Sequence, residues 1–247
     1  MIIKIIKPRI FPGILRTFSR SNTSKAGDIQ GIPEYFNYCS LNRVDAQSTV
    51  FRGTLYELYA KDILEKAFYF KSLIKAGGPG DDGLDLIGKW DLSYFYNKSL
   101  KLFPNSVVSK QSVIHYSKEN DQSQNDNVSL KDDINVLIQC KNFKAKLKPG
   151  DIKELAGIYH HHRADPRTTF MVLVTPQLLT KQGLKSFEGA MFPMMCVHIS
   201  SPSNVSGNPY NLDDYTGGEY LGMHLNKVAL EFLSGLHVED LLGKRRI

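Results

Sequence analysis

The twelve residues Gly77-Gly78-Pro79-Gly80-Asp81-Asp82-Gly83-Leu84-Asp85-Leu86-Ile87-Gly88 place the tightest constraint on how this chain folds. Five glycines and three aspartates share that stretch. Glycine allows backbone shapes that other residues resist, and aspartate beside it forms turns, so the stretch reads as a tight turn presenting charge. Leu84, Leu86 and Ile87 read as the start of a buried strand, with Asp85 caught among them. A carboxylate in that setting costs free energy unless a partner meets it. Asp81 and Asp82 read as turn formers, with Asp81 in reach of a supporting role.

Length and charge bound the rest. The 247 residues suffice for one large domain with extensions or two small ones. An apolar fraction of 42% supports a proper core, and no apolar run approaches the ~18 residues of a membrane span. Cys39, Cys140 and Cys196 are scattered and lack metal-ligand spacing, so they read as reduced thiols. The net charge of +6 comes from Lys4, Lys7, Arg9, Arg16, Arg20 and Lys25, which precede the first acidic residue, Asp28. The remainder of the chain is neutral overall, and its pI gives no support for nucleic-acid binding.

Residues 1–25 are basic, acid-free and interspersed with apolar side chains, the composition of a mitochondrial transit peptide. Arg16-Thr17-Phe18-Ser19 matches the matrix-protease pattern of Arg, any residue, aromatic, Ser. Residues 26–46 read as a polar linker. Leu55, Tyr59, Ile63 and Ala67, four apart with Leu58 beside them, predict a helix over 48–70. Glu57 lies on it, beside the apolar stripe. Residues 71–76 and 84–92 read as strands. Val107-Val108 and Val113-Ile114 read as short strands inside an insertion at 93–133, whose polar end reads as exposed loop. Residues 134–141 form a β-branched-rich strand. A helix is expected over 149–162, capped by Asp151 with Glu154 three residues on. Strands at 168–175 and 194–200 bracket a helix at 177–190, and 201–222 read as loop. The segment 223–247 reads as a last helix, from His224, and a basic tail. Strand and helix alternate after residue 134, which points to an α/β layer fold.

Side chains alternate along a strand, so Gln139 and Lys141 share one face while Cys140 takes the other. If the strands carrying Asp85 and Lys141 pair, Asp85, Gln139, Lys141 and the Cys140 backbone carbonyl converge. Such oxygens suit a hard divalent cation, Mg²⁺ or Mn²⁺. A structural Asp–Lys pair at a sheet edge explains the same residues equally well. Lys144, Lys146, Lys148 and Lys153 form a local basic patch, which suits either a phosphate backbone or solvent. His160, His161 and His162 diverge around a helix and cannot grip one metal together.

The order Glu57, then Gly80-Asp81-Asp82-Gly83-Leu84-Asp85, then Gln139-Cys140-Lys141 resembles the PD-(D/E)XK nuclease superfamily, in particular its Mrr-type branch. With the transit-like N-terminus, the chain looks closer still to the fungal mitochondrial "required for respiratory growth" proteins. The resemblance implies a three-layer α/β/α restriction-endonuclease-like fold with a mixed central sheet over 47–200. It implies Asp85, Gln139 and the Cys140 carbonyl as metal ligands, Glu57 reaching the metal through water, and Lys141 as the catalytic lysine. Gln139 departs from the usual acid and removes one negative charge. The implied activity is Mg²⁺- or Mn²⁺-dependent cleavage of nucleic acid, DNA foremost, in the mitochondrial matrix, with Lys144, Lys146, Lys148 and His160 touching the strand. A homodimer is among the expected partners. The alternative is a nucleic-acid-binding or assembly factor that keeps the fold without catalysis.

Overall fold

The computed structural model describes residues 29–76, 83–116, 128–205 and 207–243. The transit-like segment, most of the glycine turn (77–82), much of the polar stretch after 117 and the basic tail lie outside these residues.

Helix α1 (Ile32–Leu41) carries Pro33 in its first turn, where a missing N–H costs nothing. Helix α2 (Thr49–Phe68) starts at Ser48, whose hydroxyl accepts the Phe51 N–H at 3.1 Å. It stops at Tyr69, which turns left-handed at φ 62°. The chain then forms β1 (Phe70–Lys75), β2 (Leu86–Trp90), α3 (Ser93–Leu102), β3 (Asn135–Cys140), α4 (Pro149–His161), β4 (Thr169–Thr175), α5 (Lys181–Glu188) and β5 (Met194–Ile199). Two short strands, β6 (Ser203–Asn204) and β7 (Tyr215–Thr216), make a hairpin-like pair, before β8 (Tyr220–Leu225), α6 (Lys227–Phe232) and α7 (Val238–Leu242).

Six strands form one mixed sheet in the order β1-β2-β3-β4-β5-β8. The middle of the sheet, β3-β4-β5, is parallel, and its outer neighbours run antiparallel. Every residue of β4 and β5 is buried, as expected of parallel strands covered on both faces. One face meets Tyr56, Ala60, Leu64 and Phe68 of α2 together with α6; the other meets Leu155 and Tyr159 of α4 and Phe187 of α5. The architecture is therefore three-layer α/β, with helices on both faces of a mixed sheet.

Several local expectations change. Within the expected linker, α1 buries Ile32, Tyr35, Phe36 and Cys39 against Phe51, Leu55 and Leu58 of α2. Because α1 covers that side, the line of α2 facing the sheet is Tyr56–Ala60–Leu64–Phe68, one residue on from the predicted stripe. The insertion is not simply loop: α3 lies within it, Val113–Tyr116 is a short 3₁₀ helix rather than a strand, and Val113, Ile114, Val128 and Leu130 join the core. His224 belongs to β8, not to a helix, because the chain first adds an edge strand alongside β5. Asn226 then caps α6, its side chain accepting the Ala229 N–H at 2.9 Å. Asp151 is not the cap of α4; it sits in the first turn and accepts the Lys148 N–H at 2.6 Å.

Candidate functional site

The strand ends at Asp85 and Cys140 set the site. The Asp85 carbonyl accepts the Ala76 N–H at 2.8 Å, and the Asp85 N–H donates to the Ile138 carbonyl at 3.0 Å. These bonds carry the ladder one residue beyond β2. The Asp85 carboxylate then accepts the Cys140 N–H at 2.6 Å, taking a place that a backbone carbonyl fills elsewhere in the sheet. Part of the cost of placing a carboxylate there is thus met by a backbone amide, and charge makes that bond strong. The Lys141 N–H points the other way, to the Val174 carbonyl at 2.8 Å. Backbone groups of successive strand residues alternate sides, so the Cys140 carbonyl shares the edge that faces Asp85.

Gln139 and Lys141 lie on the α4 face, as alternation requires. Gln139 is 7% exposed. Its side-chain N–H donates to the Gly83 carbonyl at 2.9 Å and to Glu154 at 3.2 Å. Gly83 holds φ +81°, and a Cβ there would fall 2.8 Å from Ile158 Cδ1, so the close pass of the turn against α4 needs glycine. The Lys141 ammonium meets both carboxylate oxygens of Glu154, at 2.9 and 3.0 Å, and lies 5.6 Å from the centre of the Phe143 ring. Burial pulls the Glu154 carboxyl upward, but the hydrogen bonds from Lys141 and Gln139, and the lysine charge, outweigh it and hold the group below the ordinary glutamate value.

The α2 face carries a second pair. Lys75, the last residue of β1, meets Glu57 of α2 at 2.8 Å, with side chains 4% and 17% exposed. The Lys75 backbone N–H donates to Gln30. Burial pushes the Cys140 thiol well up, the charges of Asp85 and Glu57 push it further, and Lys75 pulls it back. At the strand end, therefore, the charges of Asp85, Glu57 and Lys75 all act on Cys140, while Gln139 and Lys141 share Glu154 on the α4 face.

Sequence reasoning missed Lys75 and gave Glu154 only a capping role. The signal for Lys75 was the one used for Lys141, a lysine closing an apolar strand. Lys144, Lys146 and Lys148 lie exposed along the loop from β3 into α4. His160 packs edge-on to Tyr159 and Phe192, at 6.2 and 6.0 Å between ring centres, which gives it a packing role in addition to any ligand contact.

A divalent cation needs oxygen donors with unused lone pairs. The Gln139 side-chain oxygen is buried and has no hydrogen-bond partner among the described residues, the state of a donor awaiting an acceptor of its lone pairs. In the chemistry of its donors, the set of this oxygen, the Asp85 carboxylate and the Cys140 carbonyl matches what such an ion takes. Among the described residues no group of three or more His, Cys, Asp or Glu side chains is placed to hold a metal ion, and of the three oxygens only that of Asp85 carries charge. No described helix is long and apolar enough to cross a membrane.

Comparison with known proteins places the chain. The family model described as "Required for respiratory growth protein 7" matches residues 48–233. A protein of that name, designated mitochondrial, from Vanderwaltozyma polyspora is 32% identical over 215 residues, covering 81% of this chain and 82% of the relative. Its counterparts from Zygosaccharomyces rouxii and Saccharomyces cerevisiae are 30% and 26% identical, covering 81% and 83% of this chain and 84% and 87% of their own lengths. No solved structure matches. With three quarters of its length inside the family model, the chain belongs to the Required for respiratory growth protein 7 family.

Proposed function

We propose that this protein is a mitochondrial matrix protein with a restriction-endonuclease-like core of the PD-(D/E)XK type. It binds Mg²⁺ or Mn²⁺ at Asp85, Gln139 and the Cys140 carbonyl, and hydrolyses phosphodiester bonds of nucleic acid, DNA foremost. Its cellular role is upkeep or expression of the mitochondrial genome, on which respiratory growth depends. The observation that carries the reading is the Asp85 carboxylate fixed on the Cys140 N–H, next to Gln139, whose buried side-chain oxygen has no hydrogen-bond partner among the described residues, two positions before Lys141. The element order supports it once α3, which lies in the insertion between β2 and β3, and β1, which precedes the Asp strand, are set aside: α2, β2, β3, α4, β4, α5, β5 follow the helix, Asp strand, Gln-x-Lys strand, helix, strand, helix, strand that the resemblance implies.

A bound cation would polarise a phosphoryl oxygen and lower the pKa of an attached water. The chain's own residues do the rest. Asp85 supplies the one negative charge among the described ligands. Lys141 is held extended by Glu154, and a phosphate competes with that carboxylate for its ammonium, which then meets charge developing on the phosphate. Glu57, held on the other face by Lys75, would reach a bound ion through water. Lys144, Lys146 and Lys148 offer phosphate contacts beside the site.

The test incubates the purified protein with duplex DNA and with RNA in Mg²⁺ or Mn²⁺. Cleavage abolished in Asp85→Asn and Lys141→Ala supports the reading; no cleavage of either substrate by the wild type sinks it. A second reading, a non-catalytic binder or assembly factor, is favoured by the full engagement of Lys141 with Glu154. It predicts no cleavage, with either salt-sensitive nucleic-acid binding that survives Asp85→Asn or protein partners that persist after nuclease treatment.

A further inference from the structure

A second cluster of reactive side chains lies outside the Asp85 site, where the loop after α3 meets the segment before α7. The Ser106 hydroxyl oxygen stands 2.5 Å from His237 Nε2. His237 Nδ1 stands 3.1 Å from an Asp240 carboxylate oxygen. Nucleophile, base and orienting carboxylate are thus in line, drawn from positions 131 residues apart. With the imidazole proton on Nδ1 toward Asp240, Nε2 faces Ser106 as acceptor. The His237 ring stacks on Phe103 at 4.0 Å and 15°, which fixes its plane. His237 also holds a left-handed backbone at φ 47°, a costly state for a residue other than glycine and one that gathers at functional sites. Beside Ser106 lies a hollow of about 300 Å³, lined by Tyr96, Leu100, Phe103, Val108 and Ile114. Among the described residues the backbone N–H groups of Val107 and Val108, which follow the serine, have no hydrogen-bond partner.

We propose that Ser106, His237 and Asp240 form a serine-nucleophile site for acyl esters or thioesters, with the apolar hollow taking the acyl chain. Ser106 Oγ attacks the carbonyl carbon while its proton passes to His237 Nε2. The bond to the leaving oxygen or sulfur then breaks, and His237 returns the proton to the departing alcohol or thiol. A water molecule repeats the sequence on the acyl-serine: its proton goes to Nε2, its oxygen joins the carbonyl carbon, and Ser106 leaves and regains the proton. The products are a carboxylic acid and the alcohol or thiol. At rest the Ser106 hydroxyl has a second acceptor, the Phe103 carbonyl at 2.9 Å, so the nucleophile is shared until a substrate enters.

The test treats the full chain with a fluorophosphonate probe, maps the modified peptide, and follows p-nitrophenyl butyrate hydrolysis. The wild type is labelled at Ser106, Ser106→Ala is not, and His237→Gln slows labelling and hydrolysis by about 10²–10⁴-fold, the span of a general base. Asp240→Asn, which leaves both Ser106 and His237 in place, gives a smaller fall in the same direction and covers the case in which His237→Gln unfolds. A wild type left unlabelled at Ser106, or one labelled as fast in His237→Gln or Asp240→Asn, overturns the proposal and leaves the three residues as a structural tie.

Discussion

Lys75 ends one strand of the central sheet and Lys141 follows the last residue of another, and each is met by a glutamate reaching from a helix, one on either face. On the α2 face, Lys75 and Glu57 are 4% and 17% exposed; on the α4 face, Lys141 and Glu154 are 10% and 49% exposed. The first pair is sealed beneath α2 and the approach of Gln30. The second has one partner open to water. A sealed ion pair is costly to open from either side, whereas a half-exposed glutamate gives up its lysine at little cost. The difference suits them to separate work: Lys75–Glu57 to fixing the strand end and Glu57 itself, and, in the function proposed above, Lys141–Glu154 to being parted by a ligand.

Breaking the sealed pair should have the largest effect. Glu57→Ala strands a buried ammonium and should destabilise the fold by about 3–5 kcal/mol, read as the shift of the urea unfolding midpoint. The double change Lys75→Met, Glu57→Leu should recover most of that loss; equal losses in single and double variants would refute the sealed-pair account.

Gly83→Ala comes next, at about 1–3 kcal/mol, because it combines φ +81° with a Cβ 2.8 Å from Ile158 Cδ1. It should also disturb the Gln139 contact to the Gly83 carbonyl, so the loss should shrink when Ile158→Val makes room. Ile158→Val giving no relief would place the strain in the backbone alone.

On the open face, Glu154→Gln should cost about 1 kcal/mol in stability, because the group is half in water and its amide oxygen still accepts from the buried Lys141 ammonium. By freeing Lys141 it should tighten nucleic-acid binding, while Lys141→Ala should weaken binding and lower the salt slope by about 1. Weaker binding in Glu154→Gln would contradict the parting of this pair by ligand.

The smallest effect is the acid dependence. Glu154 titrates below the ordinary value of 4.5, so its contribution is complete above that value and disappears as pH falls through the lower folded value. The stability gap between wild type and Glu154→Gln should therefore be constant from neutrality to about pH 5 and close in more acidic solution. A gap that widens in acid would reverse the sign and remove the pairing as its cause.

The lines legible in the sequence were those set by period and by turn chemistry. Strands β3, β4 and β5 announced themselves as β-branched or apolar runs, and alternation alone placed Gln139 and Lys141 on one face and Cys140 on the other. Helix α1 was legible in principle, since Ile32, Tyr35, Phe36 and Cys39 fall at i, i+3, i+4 and i+7, but the surrounding polar residues masked that spacing. The rotation of α2 depended on α1, so its true core line could not be read before the layer outside it was known. Strand β8 was missed because Tyr220–Leu225 pairs at an edge and owes its strand state to β5 rather than to its own propensity. At the site, the sequence found the acid and the lysine of the open face but paired them with each other. The backbone amide of Cys140 and the glutamates of α2 and α4 are tertiary partners that no local pattern announces.

Titrating Mn²⁺ into the protein and counting bound ion by electron paramagnetic resonance reads directly whether Asp85 and Gln139 hold a divalent cation at the end of β3, as proposed. Asp85→Asn is the informative variant, because its side-chain oxygen still accepts the Cys140 N–H and spares the fold while removing the charge. One site per chain is expected in the wild type, lost in Asp85→Asn and weakened in Gln139→Leu. Equal Mn²⁺ binding by the wild type and Asp85→Asn, or none by the wild type, would contradict it.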